Sequence, residues 1–264
     1  LCYFLQAHRY RATVIDAARI ASQRRRSQPK TDYTDSMAIA AYLRRYFDTV
    51  TLWQPREAIV EELRAMLSTR EQLVQHATAL ANHATSVSKG AHPHAEMIAI
   101  ARQQVTNLRA QVQAIEQQIR ERIAQHPVFD QCCTLLSSIP GVKLLLAANM
   151  LITMSSVKEP LNPRTLANYL GICPHERSSG TSVYKRPRSS RLGPPRMRKL
   201  LYLAARSLVQ HQERFRMYYR ERAEKNKSKK LLLNNVANKL LRIMCAVLRN
   251  QKPYQEGFIS LRTA

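Results

Sequence analysis

One stretch restricts the fold of this chain more than any other. Between Pro55 and Pro127, apolar residues recur at helical spacing in two arms around a single break. In the first arm they are Ile59, Leu63, Met66, Leu67, Leu73, Ala77 and Leu80. In the second, Val105, Leu108, Val112, Ile115 and Ile119 step by 3, 4, 3, 4, which is the a/d seam of a heptad pattern. The segment "SKGAHPHAE" (88–96) separates the arms with Gly90 and Pro93. Two arms about a short break predict an antiparallel helical hairpin over 55–127, built as a coiled coil or as ordinary bundle helices. A seam this long needs a partner, either within the chain or from a second subunit.

Composition points the same way. Only 6 of the 264 residues are glycine, aromatics make up 6%, and hydrophobic residues 45%. That mix suits a mainly α fold with a sizeable core rather than a sandwich or barrel. After Pro127, "LLSSIPGVKLLLAANMLITM" reads as helix, Pro140–Gly141 turn, helix. Such a turn either closes a core hairpin or presents backbone N–H groups to a phosphate. "NPRTLANYLGICP" predicts a short helix ending near Gly171. "HERSSGTSVYKRPRSSRLGPPR" predicts a loop, "MRKLLYLAARSLVQH" an amphipathic helix, and Arg214 to Lys230 a charged connector. "LLLNNVANKLLRIMCAVLRNQKPY" closes the chain as a last helix. Before the hairpin, "RATVIDAARI" looks extended, a candidate sheet edge. Thr31 or Asp32 then caps a helix through "SMAIAAYLRRYF". The expected domains are 1–54, 55–127 and 128–264.

The formal net charge is +24. A surface this positive repels itself unless it meets a polyanion, and nucleic acid is the expected partner. An anionic membrane surface competes, but Trp53 is the sole tryptophan and aromatic anchoring is sparse. No apolar run approaches the ~20 residues a spanning helix needs. The start, "LCYFLQAHRY", is too short and polar for a signal peptide. Cys2, Cys132, Cys133, Cys173 and Cys245 are odd in number and show no CxxC spacing. They read as reduced thiols in a cytoplasmic, nucleoid-associated protein.

Two constellations carry chemistry. Asp32 and Asp35 stand three apart at the start of a helix, hence on one face. Carboxylates that close can share a Mg²⁺ ion, or simply favour the positive helix N-terminus. In "HERSSGTSVYKRPRSS", a hydroxyl in a Gly-containing loop is surrounded by Arg177, Lys185, Arg186 and Arg188. It could attack a phosphate whose developing charge those cations stabilise, or the loop could only grip a backbone. Arg191, Arg198 and Lys199 extend the basic set.

The order of these stretches is more specific than any one of them. "KTDYTDSMAIAAYL", "LLSSIPGVKLLLAANML", "NPRTLANYLGICPHERSSG", "RLGPPRMRKLLYLAA" and "NNVANKLLRIMCAVLRNQKPY" resemble, in sequence, the blocks of the DEDD insertion-sequence transposases, the group that includes the Piv/MooV invertases. The resemblance runs from about residue 10 to 258. It implies the remainder of an RNase H/RuvC-like α/β domain, a coiled coil, and a helical C-terminal domain with a helix-hairpin-helix-like turn. It implies divalent metal, Mg²⁺, on four acids, with Asp32 and Asp35 matching the third and fourth. It also implies a serine that links covalently to DNA, aligned with Ser179 or, alternatively, Ser178. The expected partners are DNA, a structured guide RNA and further copies of the chain. Ser36 stands where the family usually has Ala, and "LGPPR" replaces the usual Gly-Asn or Gly-Asp. Before Asp32 there is only one acid, Asp16, which is not assigned to the tetrad. Half of the metal site is therefore missing, and the chain is expected to be N-terminally truncated. The expected function is transposase or site-specific recombinase. The alternative is a nucleic-acid-binding and dimerisation module without catalysis.

Overall fold

The computed structural model describes residues 1–21, 31–157, 161–179, 183–189, 193–224 and 228–256. The chain divides into two compact units, Leu1–Glu57 and Ala58–Ala264.

The first unit holds α1 (Cys2–Ala7), α2 (Ala17–Ala21), α3 (Asp32–Tyr46) and a 3₁₀ turn over Phe47–Thr49. Thr31 starts α3: its Oγ1 accepts the Thr34 N–H at 3.2 Å, and the Thr34 hydroxyl oxygen accepts the Thr31 N–H at 3.0 Å. The expected sheet edge does not form among the described residues. Residues 10–16 are irregular, and "AARIA" turns helical. The Trp53 N–H donates to the Ala12 carbonyl at 2.8 Å and the Thr13 hydroxyl to the Thr51 carbonyl at 2.7 Å. Tyr3 packs edge-on to Trp53 with ring centroids 4.9 Å apart. An extended piece with so few bonds makes no ladder. No described residue of this unit is among the fully buried hydrophobics, which begin at Ile59.

The second unit begins with α4 (Ala58–Ser88) and α5 (Ala95–Ala124). They run antiparallel. Glu62 pairs with Arg122 at 2.7 Å, and Arg70 with Glu116 at 2.7 Å, so an advance along α4 matches a retreat along α5. The hydrogen bond and charge of Arg122 hold the Glu62 carboxyl below its ordinary range. The seam is closed by Ala77, Ala84, Ile98, Ala101 and Val105. At the base, Ile59, Val60, Leu63 and Leu67 of α4, with Ile119 and Ile123 of α5, join the core of everything that follows.

That core is built by α6 (Pro127–Ser137), α7 (Leu144–Met154), α8 (Pro163–Tyr169), α9 (Pro195–His211), α10 (Glu213–Ala223) and α11 (Lys229–Asn250). The turn between α6 and α7 needs Gly141, whose φ is +79°. A Cβ there would also press on Leu208 of α9 at 3.3 Å. Asn162 caps α8 by accepting the Arg164 and Thr165 N–H groups. α11 is the central member, with Leu232, Val236, Leu240, Leu241, Ile243 and Met244 all at most 1% exposed. Burial of each such side chain is worth about 1.5–3 kcal/mol. By length and composition α11 would also suit a membrane, contrary to the sequence expectation, but 61% of its apolar window is buried in this fold.

Two further expectations are corrected. The presumed charged connector is largely helical. "ERFRMYYRERA" has no Pro or Gly and is rich in helix formers, and Phe215 anchors it in the core at 3% exposure. The presumed loop after Cys173 is a two-stranded antiparallel ribbon, β1 (Pro174–Ser179) and β2 (Val183–Ser189).

Candidate nucleic-acid interface

Four groups fix the base of the ribbon. Gly171 takes φ +64° after α8 and turns the chain toward β1. The Asn234 side-chain amide of α11 donates to the Ile172 carbonyl at 2.9 Å. On the return side, Gly193 lies so close to α8 that an added Cβ would fall 2.6 Å from the Leu170 carbonyl carbon and 2.7 Å from its Cα. Arg198 secures the corner by donating to the Leu170 carbonyl at 3.2 Å and to the Gly193 carbonyl.

The ribbon pairs Pro174 with Ser189, His175 with Arg188, Arg177 with Lys185, Ser178 with Tyr184, and Ser179 with Val183. Between the His175 and Arg177 pairs the register shifts: Arg186 and Pro187 together oppose Glu176. Pro187 has no N–H for a ladder, and a bulge is where a strand tolerates it. The two candidate serines therefore occupy consecutive positions of β1. Arg177, Lys185, Arg186 and Arg188 all lie on its strands. Arg191 lies outside the described residues.

Arg198 and Lys199 stand at the start of α9, away from the ribbon strands. Arg198 is held by the two carbonyls above. Lys199 donates to Glu71 of α4 at 3.1 Å. Glu71 is a hub the sequence did not reveal, because its partners lie far along the chain. Arg196 approaches it at 3.8 Å and Arg70 at 3.9 Å, and Arg196 also donates to the Leu67 carbonyl. Burial pushes the Glu71 carboxyl up, but the hydrogen bond and charge of Lys199 and the charge of Arg196 outweigh it, so the group sits below its ordinary range. Burial pushes the Arg196 guanidinium down, against the attraction of Glu71.

Asp32 and Asp35 both lie in the first turn of α3, the former exposed and the latter half-buried. Among the described residues, no group of three or more His, Cys, Asp or Glu could hold a metal ion. Two carboxylates alone do not make a two-metal centre, and the described residues do not complete one. The α6–α7 turn packs as a core hairpin through Ile139 and Val142, leaving Lys143 exposed at the head of α7.

Comparison with known proteins adds independent findings. Residues 133–220 match the model of the transposase IS116/IS110/IS902 family, and residues 1–93 match a transposase model of the DEDD IS110 group. The chain is 24% identical over 266 residues to the pilin gene-inverting proteins of Moraxella bovis and Moraxella lacunata, covering 97% of this chain and 78% of each relative. It is 27% identical over 151 residues to the insertion element IS110 uncharacterized 43.6 kDa protein of Streptomyces coelicolor, covering 57% of this chain and 36% of that protein.

Proposed function

From the premise that this chain belongs to the IS116/IS110/IS902 transposase family, we propose that the ribbon after α8 grips nucleic acid and offers it a serine nucleophile. The family acts on DNA as a transposase or recombinase. The carrying observation is the register. Arg177 pairs in register with Lys185, and like charges directly opposite one another destabilise a ribbon. A polyanion lying along the strands turns that cost into affinity, and the serines are part of the same strand.

In this reading Ser179 attacks a phosphodiester, with Ser178 as the alternative. Its oxygen replaces a deoxyribose oxygen on phosphorus, which leaves with the proton. The cations of the ribbon stabilise the charge on the phosphoryl oxygens. Asp32 and Asp35 supply two of the carboxylates of an RNase H/RuvC-like site that takes Mg²⁺. A structured guide RNA and DNA are the partners, and the protein works at the bacterial nucleoid. The test is a denaturing gel of labelled element-end DNA. Ser179→Ala is expected to abolish the covalent protein–DNA adduct. An adduct that survives in the Ser178→Ala/Ser179→Ala double variant removes the serine from the mechanism.

The same reading makes α4–α5 a coiled coil that joins copies of the chain. Leu73, Leu80, Leu108 and Val112 remain half-exposed within the hairpin, and Met97 and Ile100 are 51% and 56% exposed. A further helix would cover them. Leu108→Glu/Val112→Glu is expected to lower the mass seen by sedimentation equilibrium. An unchanged mass refutes assembly through this face.

A second reading, a nucleic-acid-binding and dimerisation module without catalysis, is favoured by the lack of a third metal ligand near Asp32 and Asp35 among the described residues. It predicts salt-sensitive DNA binding with no adduct from the wild-type chain.

A further inference from the structure

Away from the ribbon, α10 sets Arg214, Tyr218 and Arg222 four residues apart, in one stripe along the helix. α11 packs against α10 and offers Lys239 and Arg242. α11 contains no acid, and its charged residues are Lys229, Lys230, Lys239, Arg242 and Arg249. The stripes meet at the Tyr218 ring. The Arg222 guanidinium carbon lies 4.0 Å from its centroid and the Lys239 Nζ 4.9 Å. Lys239 is only 7% exposed, whereas Arg242 is exposed and Arg214 and Arg222 are half-buried. At the edge, the Arg214 guanidinium hydrogen-bonds the Tyr254 hydroxyl.

This cluster is electrostatically tense. Burial, and then the charges of Arg222, Arg242 and Arg214, push the Lys239 ammonium below its ordinary range. Glu221 approaches Arg222 at 4.0 Å with its own side chain 63% exposed, and Glu256 lies toward Tyr254. Stacking on the phenol ring offsets about 0.5–2 kcal/mol per cation and leaves the mutual repulsion in place. An oxyanion would relieve it. Guanidinium groups suit phosphate because their planar forks bind two oxygens at once. Tyr218 already orients one such fork, so little ordering remains to be done on binding.

We propose that the α10–α11 face is a phosphate-binding site, in which Arg214, Arg222 and Arg242 take the phosphate oxygens of a nucleic-acid strand above the Tyr218 ring. Lys239 lies beneath and supplies positive potential rather than a contact. The proposal rests on nucleic acid being the partner, and not on the serine chemistry or on the ribbon being the grip.

The test measures the affinity of the whole chain for a fluorescein-labelled single-stranded oligonucleotide between about 50 and 200 mM salt. Arg222→Gln/Arg242→Gln is expected to make the slope of log K against log salt shallower by about 0.7 per lost phosphate contact. Arg177→Gln/Lys185→Gln tests the ribbon separately. A shallower slope in the first pair alone overturns the ribbon and leaves this site standing. An unchanged slope in the first pair, with unchanged helical circular dichroism, overturns this site. Thermal melts with inorganic phosphate against chloride at matched ionic strength distinguish the source of the phosphate. If phosphate stabilises the parent and not the variant, yet the oligonucleotide slope is the same in both, the site takes free phosphate and the strand assignment fails. Lys239→Met is expected to hold or raise the melting temperature without phosphate and to weaken the phosphate shift. A lower melting temperature with an intact phosphate shift removes Lys239 from the site.

Discussion

Replacing Glu71 with Gln keeps the shape of the side chain and removes one charge from the hub that ties α4 to α9. Lys199 is 60% exposed, so its pair with Glu71 is worth only about 0.2–1 kcal/mol. Arg196 is different. Its side chain is 24% exposed, that of Glu71 22% and that of Arg70 16%. Without Glu71, two largely enclosed guanidinium groups stay near one another, Arg70 with Glu116 still beside it and Arg196 with the Leu67 carbonyl. Breaking a fully buried pair costs about 3–5 kcal/mol; partial solvation brings this to about 2 kcal/mol. In a unit of this size that lowers the melting temperature by about 4–8 °C. Circular dichroism melts at neutral pH measure it, with Glu61→Gln as the control, since Glu61 and Arg64 are 39% and 41% exposed. The sign in pH also follows. The folded Glu71 carboxyl lies below its ordinary value of 4.5, so its stabilisation is complete above that value and fades as pH falls through the folded one. The gap between parent and variant should therefore close in acid. A Glu71→Gln melt within a degree of the parent at neutral pH, or a gap that widens in acid, refutes the hub.

Other outcomes follow from packing and burial. Gly193→Ala drives a methyl group into the Leu170 backbone, which neither side can yield, and is expected to cost about 3 kcal/mol or more, read by chemical denaturation. Leu240→Ala empties a site that is 0% exposed on the central helix, at about 2–5 kcal/mol. Burial pushes the Cys133 and Cys245 thiols up to about 12. Both are expected to resist a thiol-reactive dye at pH 8 until denaturant is added, as mass mapping of labelled peptides would show.

The parts legible in the sequence are those whose burial repeats with the helix. Leu63, Leu67, Val105 and Ile119 announced α4 and α5, and Pro140–Gly141 announced the α6–α7 turn. α9 and α11 were equally plain, because each buries one apolar stripe. The ribbon was not. "PHERSS" and "VYKRPRS" contain almost nothing apolar to alternate, and their backbone register even sets Arg177 opposite Lys185. α10 was hidden for a similar reason: Phe215 is its one buried anchor among arginines and tyrosines. "RATVIDAARI" misled in the opposite direction, since β-branched residues favour a strand only where a neighbouring strand exists. Of the candidate site, the residue types were readable and their supports were not. Glu71 with Lys199, and Gly193 with Leu170, join residues that no local pattern connects.

The ribbon leaves the helical frame at Ile172 and re-enters it at Gly193, and both points are tied to the same corner at the end of α8. A segment whose ends already meet costs the frame almost nothing to lengthen, shorten or exchange. The frame and the ribbon can therefore diverge at separate rates. Charged residues on the ribbon can be rewritten while the helices that carry it go on folding as before.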